Sequence, residues 1–161
     1  MKQAPKYGGA IPIGRIEEGR RKNLRQLLLR ASRLVNRHVV EGLHTRGYTN
    51  LRSTHTTLLS NIDLAGSTVS EAADRAGITK QAMGRLATDL ESAGYVTVQS
   101  DPADARVRIL CLTDTGMRLM IDSLEVMADL QSRYARVIGN KQLTCVLQGL
   151  ASFVDQADRI R

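Results

Sequence analysis

Tryptophan is absent from this chain of 161 residues and phenylalanine occurs once, so packing between helices has to be aliphatic rather than aromatic. Only two cysteines occur, Cys111 and Cys145, and neither has a C-x-x-C neighbour or an evident thiolate-stabilising cluster. That excludes a disulfide framework and reads both as small apolar packing residues in a reducing cytoplasm. No apolar run is long enough for an export signal or a membrane span, because Lys2, Pro5, Lys6, Gly8, Gly9, Pro12 and Gly14 break up the leading residues. A cytoplasmic protein that does not engage a membrane is the expectation. There is no glycine-rich phosphate loop and no compact set of nucleophile, base and orienting group, so no enzyme and no cofactor are predicted. Glu41 and His44 lie one helical turn apart, but His38 and His44 project to different faces, which leaves no compact metal set.

Of the charges present, the excess is positive, +7 overall, and unevenly placed. Residues 1–46 hold eleven Lys/Arg against three Glu, whereas residues 47–161 hold twelve against thirteen acids. A polyanionic partner fits this balance. Cations in the second part must then act by position rather than by bulk field. An anionic membrane is the competing partner for the leading arm, but that arm lacks the hydrophobic face that anchoring needs.

Two local patterns specify a DNA-reading device. From Val69 to Gly94, Ala72, Ala76, Ile78, Met83, Leu86 and Leu90 fall at helical spacing on both sides of Gly77, which suits the positive φ of a sharp inter-helix turn. Ser70 and Thr79 are read as the two N-caps and Gly94 as the terminator of a helix-turn-helix. Gly84, inside the second helix, points either to close approach of another backbone or of DNA or to simple tolerance of a glycine there. Downstream, Tyr95 to Gln99 and Val107 to Leu112 are β-prone, and Asp101-Pro102-Ala103-Asp104 between them carries turn-forming residues. Arg106 then sits at the tip of a hairpin, where a guanidinium oriented by Asp104 fits a narrow minor groove. An ordinary helical hairpin and a solvated surface ion pair are the alternatives.

Long helices flank this unit. The first, from about Arg20 to Leu43, carries Leu24, Leu27, Leu28, Ala31, Leu34, Val35 and Val39 on one face, with Arg30, Arg33 and Arg37 opposite. Thr113 caps another whose stripe is Met117, Met120, Ile121, Leu124, Met127 or Ala128, Gln131, Tyr134 and Ile138, and which Gly139 stops. Asn140 is read as the cap of a final helix bearing Leu143, Val146, Leu147, Leu150 and Val154. A DNA-binding unit of about 60 residues cannot cover all of these faces, so a second copy is expected to meet them.

Asp101, Asp104 and Arg106, followed by a short strand and then Leu112, Thr113 and Gly116, resemble the Asp-x-x-Asp-x-Arg and Leu-Thr-x-x-Gly pattern of the MarR family of winged-helix transcription regulators. Gly77 to Met83 resembles a common start of that family's recognition helix. Ala105 departs from the glycine or charged residue of many relatives. The resemblance implies a mainly α chain with a small antiparallel β-wing (α+β), a winged helix-turn-helix lobe at 49–112 and dimerisation helices at 20–44 and 113–161. Residues 1–19 are then a flexible or partner-docked basic arm, whose Tyr7, Ile11 and Ile13 pack on a partner subunit if ordered, and 20–161 a single domain. It further implies a homodimer on a pseudo-palindromic double-stranded DNA operator.

Side-chain chemistry assigns the contacts. Gln81 has the amide geometry for adenine and Arg85 the fork for guanine; Ser70, Thr79 and Lys80 suit the backbone, Arg106 the minor groove and Arg108 a phosphate. The resemblance also implies a small-molecule pocket, for which His38, Tyr48, Arg52 and His55 are the candidates, suited to an acidic or phenolic ligand that releases a repressor from DNA. A satisfied core histidine is the alternative for His38 or His55. The competing function classes are a non-sensing architectural DNA-binding protein and a cysteine-based redox-responsive regulator.

Overall fold

The computed structural model describes residues 13–101, 104 and 107–157, with side chains at all of these except 15 and 157. The chain divides into two units, residues up to Arg37 and residues from His38.

In the first unit, α1 (Ile13–Lys22) is followed by the start of α2 (Leu24–Thr45), so a helix begins within the segment expected to be an arm. Asn23 separates the two. Its amide donates to the Gly19 carbonyl at 2.8 Å while its Oδ1 accepts the Gln26 N–H at 2.9 Å, an N-cap that starts α2 afresh. The single helix expected from Arg20 is therefore two. Leu24, Leu27 and Leu34 of its apolar stripe are exposed, and Leu28 and Val35 are half-buried.

In the second unit, the end of α2 buries Val39, Val40 and Leu43. Then come α3 (Thr56–Leu59), β1 (Ser67–Thr68), α4 (Val69–Ala76), α5 (Lys80–Ser92), β2 (Val96–Ser100), β3 (Arg108–Leu112), α6 (Asp114–Ile138) and α7 (Asn140–Ala157). Leu51, Leu58, Met83, Leu90, Val96, Leu110 and Leu119 are almost wholly removed from water, the aliphatic core that the composition dictates. The expected mainly α architecture with a small β-wing is what forms. The hairpin pairs β2 with β3 from Val96↔Leu112 to Ser100↔Arg108. A third strand, β1, extends the sheet to the order β1-β3-β2 through Ser67↔Leu110 and Thr68↔Ile109.

Local chemistry explains the helix-turn-helix. Gly77 ends α4 at φ 64°, and Thr79 caps α5 by accepting the Ala82 N–H. Gly94, at φ 78°, follows the last turn of α5. The first N-cap is Thr68, however, and Ser70 lies inside α4. Thr68 wins because Glu71, three residues on, returns a bond to the Thr68 N–H and completes a capping box, which Ala73 cannot do for Ser70. The Thr68 bonds also hold the Glu71 carboxyl below its ordinary range.

Thr113 caps α6 as expected, accepting the Gly116 N–H at 3.0 Å, and its hydroxyl donates to the Gly94 carbonyl at 2.6 Å. This ties the start of α6 to the end of α5. The buried face of α6 is Gly116, Leu119, Val126 and Leu130, which differs from the expected stripe: Met117, Ile121, Leu124 and Ile138 of that stripe are exposed. Two apolar faces coexist on this helix. The inner one packs against its own unit, with Gly42 of α2 so close to Val126 that an added Cβ would lie 2.6 Å from Val126 Cγ1. Gly139 ends α6, and Asn140 is the first residue of α7 rather than a preceding cap. Among its described side chains α7 buries none, and Val146, Leu147, Leu150, Phe153 and Val154 are all exposed.

Candidate nucleic-acid interface and ligand cavity

On α5, Met83, Ala87 and Leu90 are buried while Thr79, Lys80, Gln81 and Arg85 are exposed. Residues four apart on a helix share a face, so Gln81 and Arg85 stand together on the side away from the core. Among the described residues neither side chain makes a hydrogen bond or ion pair. At the N-terminal ends of α4 and α5 a groove of about 500 Å³ runs against β3, lined by Thr68, Val69, Ser70, Lys80, Gly84, Val107 and Arg108. Three predicted backbone-contacting residues, Ser70, Lys80 and Arg108, are thereby brought together. A Cβ added at Gly84 would meet no atom of the described residues outside its own helix turn within 4 Å, so among them no other backbone approaches it. Its lack of a side chain instead leaves the groove floor open.

At the wing, Asp101 N–H donates to the Val107 carbonyl and Val107 N–H to the Asp104 carbonyl, each at 2.9 Å, which closes the turn. Asp104 is exposed. Arg106 lies outside the described residues, as do Pro102, Ala103, Ala105 and residues 1–12 with Tyr7 and Ile11. Arg75 is a residue that sequence reasoning missed. From α4 it donates to the Asn61 carbonyl at 2.9 Å and to Asp63 Oδ2 at 2.6 Å, and Asp63 in turn accepts from buried Ser67. This bracket fixes β1 beside α4, and the Arg75 bond holds the Asp63 carboxyl below its ordinary range.

The four residues assigned to one ligand pocket fall into three separate settings. His38 is half-buried, with Nδ1 2.7 Å from the Tyr134 hydroxyl, and lines a cavity of about 720 Å³ between α2 and α6. Tyr48 instead donates its hydroxyl to Asp122 Oδ2 at 2.5 Å; that bond first, and burial second, push its phenol up to about 12. Arg52 pairs with Asp89 of α5. His55, 1% exposed, packs under Arg52: Nδ1 accepts the Arg52 backbone N–H at 3.2 Å, and Nε2 lies 3.2 Å from Arg52 Nε. Burial, then the Arg52 charge, lower its pKa, against the opposing pull of Asp89. His55 is therefore a satisfied core histidine, and it precedes a helix of only four residues rather than sitting within a long one.

The cavity beside His38 draws its cations from elsewhere: Arg46, Arg133 and Arg136, with Glu41 and Asp129 at its rim. Arg133 and Arg136 stand three residues apart on α6, a spacing legible as one face, but reading α6 by its apolar stripe alone passed over them. Arg46 donates to Glu125 Oε2 at 2.6 Å, which, with Asp122 and Asp129 nearby, raises its pKa further. Among the described residues no group of His, Cys, Asp or Glu is arranged to hold a metal ion. Cys111 is half-buried in the wing, whereas Cys145 is exposed on α7 and is not the packing residue expected. No helix among the described residues is long and apolar enough to cross a membrane.

Residues 49–107 match the MarR family. Solved structures share the fold across nearly their whole length. The transcriptional regulator BldR from Sulfolobus solfataricus superposes with a TM-score of 0.63 at 19% identity, over 91% of this chain and 99% of that one. The transcriptional repressor CouR, bound to a 23-mer DNA duplex, gives 0.62 at 21% identity over 91% and 99%. CouR from Rhodococcus jostii RHA1 bound to p-coumaroyl-CoA gives 0.61 at 24% identity over 82% and 92%. No curated protein matches the sequence. Residues 49–107 thus match the MarR family, and the chain shares the fold of these solved transcriptional regulators.

Proposed function

From a MarR-family winged helix at residues 49–107, we propose that this chain is a homodimeric repressor that reads a pseudo-palindromic DNA operator and is released from it by a small anionic or phenolic effector. The observation that carries the reading is the exposed pair Gln81 and Arg85 on the outer face of α5, beside the groove that gathers Ser70, Lys80 and Arg108. Gln81 pairs with adenine and Arg85 with guanine in the major groove, while Ser70, Thr79, Lys80 and Arg108 hold phosphates. Arg106, oriented by Asp104, enters the minor groove.

Two copies meet through the apolar surface that α6 and α7 leave uncovered, including Leu124, Leu147, Leu150 and Phe153. The effector occupies the cavity beside His38, where Arg46, Arg133 and Arg136 supply cationic donors. Ligand there biases the placement of α6, which Thr113 joins to the end of α5. CouR bound to p-coumaroyl-CoA lends this reading an example of a like fold with an aromatic acyl ligand.

The test is selection of bound duplexes from a random-sequence pool, followed by anisotropy titration of the enriched sequence. Gln81→Ala and Arg85→Ala should lose preference for the enriched sequence over random competitor. Enrichment of no sequence would overturn operator reading. A thermal-shift panel of carboxylates and phenols, repeated with Arg133→Ala, tests the cavity. A shift unaltered by that substitution would move the effector elsewhere.

A further inference from the structure

The reading lobe has almost no electrostatic means of holding a polyanion. Residues 47–112 carry six Lys/Arg against seven Asp/Glu. Two of those cations, Arg52 and Arg75, are already engaged by Asp89 and Asp63. Affinity for duplex DNA nevertheless comes largely from neutralising phosphates. Most of the chain's positive excess lies elsewhere, in α1 and the first turns of α2.

Residues 13–37 contain seven Arg and one Lys against Glu17 and Glu18. Arg20, Arg21, Arg25, Arg30 and Arg33 are exposed and, among the described residues, form no ion pair or side-chain hydrogen bond. Lys22 is held by Glu18 at 2.7 Å. Along α2, Arg30, Arg33 and Arg37 fall within about 60° of helical arc and about 10 Å of rise. Together with Leu27, Ala31 and Leu34 they line a hollow of about 500 Å³.

We propose that the first unit is a second DNA-binding surface, which grips phosphates without regard to sequence, the exposed guanidinia of Arg25, Arg30 and Arg33 being its principal contacts. The choice of DNA as the polyanion rests on the operator-reading function proposed above. Duplex DNA presents one charge per about 1.7 Å of axis, dense enough to meet Arg30 and Arg33, about 60° apart on one face of α2, and Arg25, which lies about 80° of arc from Arg33 one to two turns earlier. Arginine rather than lysine is suited to paired donation to phosphate oxygens, and seven of the eight cations are arginine. A lipid surface fits less well, because residues 13–37 hold no Trp, Phe or Tyr to enter the headgroup layer. The division of labour follows: α5 and the wing choose the sequence, and the first unit supplies counterion release.

The experiment uses the full chain and a labelled random-sequence duplex, titrated over a series of salt concentrations, with the variant Arg25→Gln/Arg30→Gln/Arg33→Gln beside the wild type. These side chains have no partner within the described residues, so circular dichroism should be unchanged. Counted per protomer, the log–log slope of affinity against salt should become shallower by about 2–3, and affinity for random duplex should fall about tenfold or more. The charge-retaining variant Arg25→Lys/Arg30→Lys/Arg33→Lys should keep the wild-type slope to within about 1. An unchanged slope in the glutamine variant overturns the proposal. So does a glutamine variant that loses binding to phosphatidylglycerol vesicles while holding random duplex as before, which would make the surface a membrane contact. Gln81→Ala/Arg85→Ala separates the two readings: operator reading fails if this variant keeps the preference for the enriched sequence, whatever the random-duplex slope of the arginine variant shows.

Discussion

A Cβ added at Gly116 would lie 2.0 Å from the backbone carbonyl oxygen of Tyr95, so the first turn of α6 and the start of the wing touch at a point where only hydrogen fits. Because the obstacle is backbone, no rotamer change relieves it. Gly116→Ala should destabilise the fold by about 3 kcal/mol despite the better helix propensity of alanine. The urea midpoint checks this, and an unchanged midpoint would show that α6 can slide.

The Tyr48–Asp122 bond makes an alkaline prediction. With its folded pKa raised from 10.0 to about 12, Tyr48 stays protonated in the native chain while the unfolded chain ionises. Its contribution is complete below pH 10 and is lost as pH rises through 12. Tyr48→Phe should cost about 1–2 kcal/mol at neutral pH and flatten the fall in Tm across that window. Calorimetry at successive pH values reads both.

His55 makes the opposite prediction on the acid side. Burial and Arg52 lower its folded pKa below the ordinary 6.5, so the unfolded chain takes up the proton first as pH falls. Stability is present above pH 6.5 and declines below it, until the folded pKa is passed. His55→Gln should lower Tm at pH 7.5 and show a smaller further loss on going to pH 5 than the wild type.

At the DNA face, Arg85→Ala should weaken operator binding by about 1–3 kcal/mol and relax selectivity at one base position. Lys80→Ala should weaken all sequences alike. Since both side chains are exposed, neither substitution should move Tm. Selection repeated with each variant distinguishes the two effects.

Arg106→Ala tests the wing directly, with the same expected loss of about 1–3 kcal/mol and no change in folding. Full operator affinity in that variant would remove the hairpin tip from recognition.

The parts of this fold that were legible in the sequence are those decided within a few residues. Gly77, Thr79 and Thr113 act through bonds to near neighbours, and each appears where its local pattern places it. Where two nearby residues could do the same job, a partner decided: Thr68 displaced Ser70 because Glu71 could answer it. A strand as short as β1 carries no periodicity at all and exists only because β3 offers an edge. For α6, the apolar pattern marked a face, but the helix has two. Packing around Gly116 and Gly42, which no spacing rule encodes, chose the other. Tertiary partners likewise scattered the ligand set, since Asp122 claims Tyr48 and Asp89 claims Arg52 from far along the chain.

The α7 segment, Asn140–Ala157, fully buries none of its described side chains, and a helix of this length left largely uncovered is marginal in water. If a second copy supplies the missing cover, folding at this end of the molecule and association become one equilibrium governed by mass action. Dilution alone should then lower the melting temperature and fray the helix, making the amount of protein in the cell a determinant of its shape.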